Sequence, residues 1–306
     1  KHIGRVSGYG WALGYVGGLL CLAIALFCFV QVEIPPFGLE KAGGEHVRAT
    51  NLLVAAWFAL FSIPTFLFLK EVKVSDKPST GALFRSSFRQ IAQTGREIRR
   101  YREIVRLLIA RLFYNDGLVT LIAFGGIYAQ GTLGFSIEEV LMFGIVLNVM
   151  AGLGAFALGF LDDKIGGRKV IFISLALLIL ASILAVLTTD KTVFWISGLL
   201  VGIAIGPNQA SSRSLLGRFV PDDKEAEFYG FFAFSGKATA FIGPFMLGVL
   251  TDMFNTQRAG VSIVIVLFVI GAIVLWGVNE AEGIRLSGRA AIDPTVADEL
   301  RDLESD

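Results

Sequence analysis

The chain has 306 residues, of which 54% are apolar and only 17% charged, with a mean hydropathy of +0.68. Soluble chains carry about 25% charged residues, and here the missing charge is removed from long blocks, which excludes disorder, a collagen-like repeat and a secreted disulfide scaffold. A net charge of +1 gives no ground for nucleic-acid binding.

Charge-free runs extend over 6–32, 49–69, 140–161, 170–189, 192–212 and 259–279. Each is long enough to cross a bilayer as a helix, which takes about 20 apolar residues with every backbone hydrogen bond closed internally. Two further stretches do so with charges inside: 104–130 carries Arg111 and Asp116, and 226–251 carries Lys237. The expectation is an all-α transmembrane chain of eight spans. Cys21 and Cys28 fall seven positions apart within the first span, about 10 Å along a helix axis, and cannot bridge.

Basic residues stay on the cytoplasmic side more readily than they translocate. Of the 27 Lys and Arg residues, only Lys41, Arg48, Lys191 and Arg258 fall in the loops of one side, and Arg111 and Lys237 within spans; the rest lie on the opposite side, with both termini. Both ends are therefore expected to be cytoplasmic, in a protein integral to the membrane. Within 79–102, Leu83, Phe84, Phe88, Ile91 and Ile98 recur at helical spacing between Arg85, Arg89, Arg96, Arg99 and Arg100. This predicts a basic amphipathic helix on the inner leaflet, with lipid or partner binding as the sharper reading. The tail after Glu280 is polar and is read as mobile and without assigned function.

Between the spans at 140–161 and 170–189 the chain reads Gly159-Phe-Leu-Asp162-Asp163-Lys164-Ile-Gly166-Gly167-Arg168-Lys169. This resembles the G-x-x-x-D-[RK]-x-G-R-[RK] loop signature of the major facilitator superfamily, carried by Gly159, Asp163, Lys164, Gly166, Arg168 and Lys169, with Gly167 where the first basic residue usually stands. The physics suits the place: glycine for tight geometry, an Asp at a helix end, basic residues to fix orientation. The runs 5–15, Phe113-Tyr-Asn-Asp-Gly117, 212–221, 225–230 and 235–244 are similar to the branch that contains the fungal vacuolar amino-acid effluxers of autophagy and their bacterial relatives.

That resemblance implies a twelve-helix bundle in two halves and a domain plan. Residues 1–69 would be the last two helices of the N-terminal half, 70–103 the cytoplasmic central loop, 104–279 the C-terminal six-helix half and 280–306 a cytoplasmic tail. Four helices would then be missing, and since residue 1 is Lys the chain reads as a fragment starting at the fifth span. It implies a secondary active transporter moving a small solute by alternating access, with amino acids as one substrate class and protons as a co-substrate. A bacterial inner membrane is the implied location. The implied partners are the solute, the lipid bilayer and the missing helices. A non-transporting sensor or scaffold with the same bundle is the alternative.

Ionisable groups at mid-membrane are costly, about 2.5–3.5 kcal/mol on insertion scales, and usually face the bundle interior with a partner. Asp116 lies twelve residues into its span and Lys237 eleven into its own, both about 17 Å deep at 1.5 Å per residue. Equal depth makes them an expected pair, binding the two ends of a zwitterion or trading a proton for solute; a structural salt bridge is the plain alternative. Arg111 shares a helix face with Asn115, whereas Asp116 shares one with Thr120. Arg111 lies about 10 Å from the inner surface, so it either contacts solute or snorkels. Gly206-Pro207 followed by Asn208, Gln209, Ser211 and Ser212 predicts a kinked span with a polar strip beside a substrate site. Asn148 is read as a polar residue between helices. Gly10, Gly14 and Gly18 form a small-residue stripe suited to close helix packing.

Two motif imitations are dismissed. The stretch 230–237 has the wrong glycine spacing for a phosphate loop and Ala238 where Ser or Thr belongs, and 152–157 imitates a dinucleotide fingerprint inside a membrane span with no strand before it. His2 and His46 are the only histidines, both outside the spans, so no His-based metal site or catalytic triad is expected there, no cofactor is called for, and the chain is not read as an enzyme.

Overall fold

The structure is a computed structural model and describes residues 3–41, 43–69, 89 and 101–288. The predicted amphipathic helix and the last eighteen residues of the tail fall outside the described residues, residues 89, 101 and 102 apart. The described chain is helical: α1 Ile3–Ala25, α2 Glu45–Phe68, α3 Arg102–Leu133, α4 Ile137–Ile165, α5 Gly167–Leu187, α6 Lys191–Phe219, α7 Glu225–Ser235, α8 Ile242–Phe254, α9 Gln257–Trp276 and α10 Glu280–Leu286. Among the described residues, seven helical segments are long and apolar enough to cross a membrane. The expected span over 226–251 is instead the two short helices α7 and α8 in series, interrupted at 236–241.

The chain forms two compact units, Gly14–Gln90 and Lys1–Leu13 together with Ile91–Asp306. In the first, α1 runs into a π-helical turn at Leu26–Val30, and α2 buries none of its residues. Cys21 and Cys28 are both free. In the second, α6 packs against α4 and α5, α9 against α3, α8 and α5.

Helix ends in this unit are set by local chemistry. Ser136 and Glu139 form a reciprocal capping box at the start of α4, the Asp190 carboxylate accepts from the Thr192 and Val193 N–H groups at the start of α6, and α3 and α8 end on Gly134 and Asn255 in the left-handed region, as such caps commonly do. Lipid supplies no hydrophobic drive between helices, so close approach depends on small residues. Gly154 of α4 and Gly206 of α6 allow it: a Cβ on either would run into the carbonyl oxygen of Ile203 or Ala151 respectively, so the two backbones touch. In the expected glycine stripe of α1, Gly10 meets nothing within 4 Å; Gly8 instead faces Ala155 and Gly159 of α4.

One end of the second unit is closed by rings. Phe135, Phe143, Phe194 and Tyr128 are buried together with Trp195 beside them. The other end is closed by charge. Arg218 of α6 bonds Asp162 Oδ1 at 2.6 Å and Glu280 Oε1 at 2.9 Å. Glu280 also accepts the Gly167 and Arg168 N–H groups, both at 3.0 Å, and so caps α5. The start of the tail is therefore structural, contrary to the expectation of a mobile end: a carboxylate satisfies two orphan helix N–H groups and an arginine.

Candidate functional site

Four of the polar residues predicted inside the spans, Arg111, Asn115, Asp116 and Gln209, converge where α3 crosses the interruption between α7 and α8. The break itself has a sequence cause. Pro244 has no N–H to give the Ala240 carbonyl, and Gly236 lacks a side chain to hold the helix, so a continuous run through 236–244 would lose hydrogen bonds that lipid cannot replace. Three residues of α3 hold the connection, two of them by bonding its freed backbone groups. The Asn115 Nδ2 donates to the Gly236 carbonyl at 2.8 Å at the end of α7, the Leu112 carbonyl accepts from Thr239 Oγ1 at 3.1 Å, and Asp116 Oδ2 accepts from the Gly243 N–H at 3.0 Å in the first turn of α8.

A second chain of bonds runs from α3 to α6. Arg111 donates to Gln209 Oε1 at 3.3 Å, and Gln209 Nε2 donates to Asn115 Oδ1 at 3.1 Å. With the Asn115 bond to Gly236, four residues form one relay from a guanidinium to the broken helix. Arg111 is 7% exposed with its guanidinium carbon 3.8 Å from the Phe232 ring centre, so it faces inward. A buried guanidinium over a ring gains cation–π attraction that a snorkelling one would not.

Asp116 is 2% exposed, and its Oδ1 has no protein partner. Thr120 Oγ1 donates to the Asp116 carbonyl at 2.8 Å, consistent with the shared face. Asn208 is fully buried beside the relay, and Tyr114 and Ser212 share a 2.7 Å hydroxyl contact next to it.

The expected pair of Asp116 and Lys237 is not formed. Lys237 is exposed on the 236–241 connection and makes no ion pair with Asp116, which is held by backbone instead. Pro207, where a kinked span was expected, lies inside α6, which runs from Lys191 to Phe219, and the stretch between α7 and α8 is the one that breaks. Asn148 is exposed and bonds the Gly144 carbonyl of its own helix. Of the loop signature, Asp163 accepts from the Gly4 and Arg5 N–H groups and pairs with the Arg5 guanidinium at 3.1 Å. Gly166 takes a positive φ of 90° between α4 and α5, and Arg168 donates to the Trp276 carbonyl. Lys164 lies in the last turn of α4 and Lys169 in the first turn of α5. Asp162, which the signature skips, is the more buried carboxylate and holds Arg218.

Sequence reasoning missed Tyr114, the Gly236 and Gly243 backbone contacts and Glu280. Gly236 together with Gly243-Pro244 is the readable signal of the interruption. A bundle of membrane-length helices whose buried polar groups gather at an interrupted span is that of an integral membrane protein, and its likeness to an MFS-type transporter makes it one of the major facilitator type. The chain belongs to the vacuole effluxer Atg22-like family, whose profile matches residues 1–287. It is 29% identical to YxiO of Bacillus subtilis, named an uncharacterized MFS-type transporter, over 92% of this chain and 64% of that protein. It is 24% identical to autophagy-related protein 22-1 of Penicillium rubens over 87% of this chain and 47% of that one. A similar likeness holds for autophagy-related protein 22 of Yarrowia lipolytica, 24% identical over 87% and 48%. The chain thus spans about half to two thirds of the length of these relatives.

Proposed function

We propose that the chain is part of a secondary active transporter that moves a small solute by alternating access, and that it is not an enzyme. The observation that carries the reading is the relay from Arg111 through Gln209 and Asn115 to the interrupted helix, with Asp116 fastened to the start of α8 a residue away. Discontinuous spans at membrane depth occur where backbone lines a protein cavity or a transport path. In this reading Arg111, Asn115, Asp116, Asn208 and Gln209 border the solute or proton path, with Lys237 exposed on the connection between the half-helices. Amino acids are the first substrate class to assay, as the class that the sequence resemblance implies. The end that carries the 162–169 loop is the cytoplasmic one, in a bacterial inner membrane.

The test is flux through the complete protein reconstituted in vesicles, preceded by a thermal-shift screen against amino acids, peptides and sugars, because a bound ligand raises stability by mass action. Substrate-dependent flux that falls in Asp116→Asn and Lys237→Ala is the expected result. Wild-type flux in either variant withdraws that residue from the path, and a bundle that binds ligand without flux is a sensor.

A further inference from the structure

The carboxylates nearest the start of α5 are engaged: Asp162 and Glu280 hold Arg218, Glu280 also takes the first N–H groups of α5, and Asp163 holds Arg5. Two cations in the first turn of α5, Arg168 and Lys169, form no ion pair with any described residue. The Arg168 guanidinium is nevertheless fixed in place. Its Nη2 donates to the Trp276 carbonyl at the end of α9 at 2.8 Å, and its carbon stands 5.6 Å from the centre of the Phe172 ring, within cation–π range. Phe172 in turn meets the Trp276 ring edge-on at 5.9 Å. Trp276 is 75% exposed, and its indole N–H has no partner among the described residues. Lys169 is exposed beside this ledge.

The ledge sits at the membrane surface. Helices α5 and α9 are 21 and 20 residues long, enough to cross the hydrocarbon core, so the start of one and the end of the other lie at headgroup level, where tryptophan concentrates. One turn deeper, Ile173 follows Lys169 on the same face of α5 and Ile273 precedes Trp276 on the same face of α9, 40% and 67% exposed. The first residues of α1 meet the unit elsewhere, Gly8 on Ala155 of α4 and Ser7 on the Ala210 carbonyl of α6, and leave this apolar strip uncovered. Two unpaired cations and a free N–H therefore stand directly above side chains suited to acyl chains. We propose that Arg168, Lys169 and Trp276 bind the headgroup of an anionic phospholipid. The two cations face its phosphate, the indole N–H donates to a phosphate or ester oxygen, and the chains lie along Ile173 and Ile273. Charge above an apolar strip selects a lipid over a free anion, and the site requires no transport to exist.

The test is native mass spectrometry of the complete protein, delipidated in detergent and titrated with dioleoyl phosphatidylglycerol or dioleoyl phosphatidylcholine. The two lipids share chains and phosphate, and only the first is anionic. The first phosphatidylglycerol is expected to bind about tenfold or more tighter than phosphatidylcholine, and Lys169→Gln to weaken it about fivefold, as loss of one surface cation implies. Trp276→Phe, which keeps the ring and drops the N–H, is expected to weaken it as well. Arg213→Gln removes one positive charge from an exposed position on α6 and is expected to change nothing. Lys169 and Arg213 are both exposed, so neither variant threatens the fold. Equal affinity for the two lipids overturns the proposal. So does an equal loss in Lys169→Gln and Arg213→Gln, which means diffuse attraction, or displacement of the lipid by millimolar inorganic phosphate, which means a free-anion site. None of these outcomes bears on whether solute is carried.

Discussion

Asp116 and Gly243 are joined by a single hydrogen bond of 3.0 Å, from the N–H of the glycine to Oδ2 of the carboxylate. The contact puts an acidic side chain at the positive end of α8 and lets α3 position a helix that does not continue its predecessor. A Cβ at Gly243 would collide with Thr120 Oγ1 and stand 3.3 Å from Asp116 Oδ1, so the approach depends on glycine.

Asp116→Ala removes this cap, and helix caps are worth about 0.5–2 kcal/mol. The unfolding midpoint of the detergent-purified protein should fall accordingly, with Asp116→Asn, which keeps an acceptor, falling less.

Gly243→Ala should cost about 1–3 kcal/mol by overpacking against Thr120. Thr120→Ala removes the obstructing hydroxyl, so the double variant should recover part of the loss. A double-mutant cycle on midpoints measures that coupling, and strict additivity would show that the two residues do not meet.

Asn115→Ala leaves the Gly236 carbonyl and the Gln209 amide without their partner, a penalty of about 1–3 kcal/mol. Amide hydrogen exchange over 236–241 should accelerate while exchange over α9 stays unchanged.

Glu280→Ala should destabilise more than Glu280→Gln. Alanine abandons the Gly167 and Arg168 N–H groups as well as the Arg218 ion pair, whereas glutamine retains an acceptor for the cap. Thermal midpoints of the two variants, with Arg285→Gln as an exposed control, decide the order.

Asp190 gives a pH signature. The Val193 and Thr192 N–H groups hold its carboxylate below the usual range. A folded value lowered in this way makes the cap's contribution fully present above the unfolded carboxylate value of about 3.9 and removes it as pH falls through the folded one. Asp190→Asn, an equally good cap, should match the wild type at neutral pH and lose that acid-dependent component in midpoints recorded across the acid range.

The membrane spans were legible because hydropathy is a one-dimensional property, and the residues of the relay were legible because polar groups are rare inside such runs. Arg111, Gln209 and Asn115 are joined by hydrogen bonds, and Asp116 stands next to Asn115 in the chain. Depth along an axis does not fix direction around it, which is why Asp116 and Lys237, though level, do not pair. The interruption between α7 and α8 was passed over for a related reason. Pro207 is obvious within an apolar run but α6 continues through it, whereas Gly236 and Pro244 act together over eight positions to break theirs. Glu280 was passed over because an acidic residue after the last span looks solvated, and only the fold brings the start of α5 to it.

The backbone contact of α4 with α6 at Gly154 and Gly206 has a mechanical corollary. Main chain resting on main chain has no rotamers to exchange and no compressible side chain between, so the two helices can neither slide nor rock against each other by small steps. Any rearrangement must carry them as a single stiff beam, and relative displacement has to come from contacts with larger, adaptable side chains elsewhere.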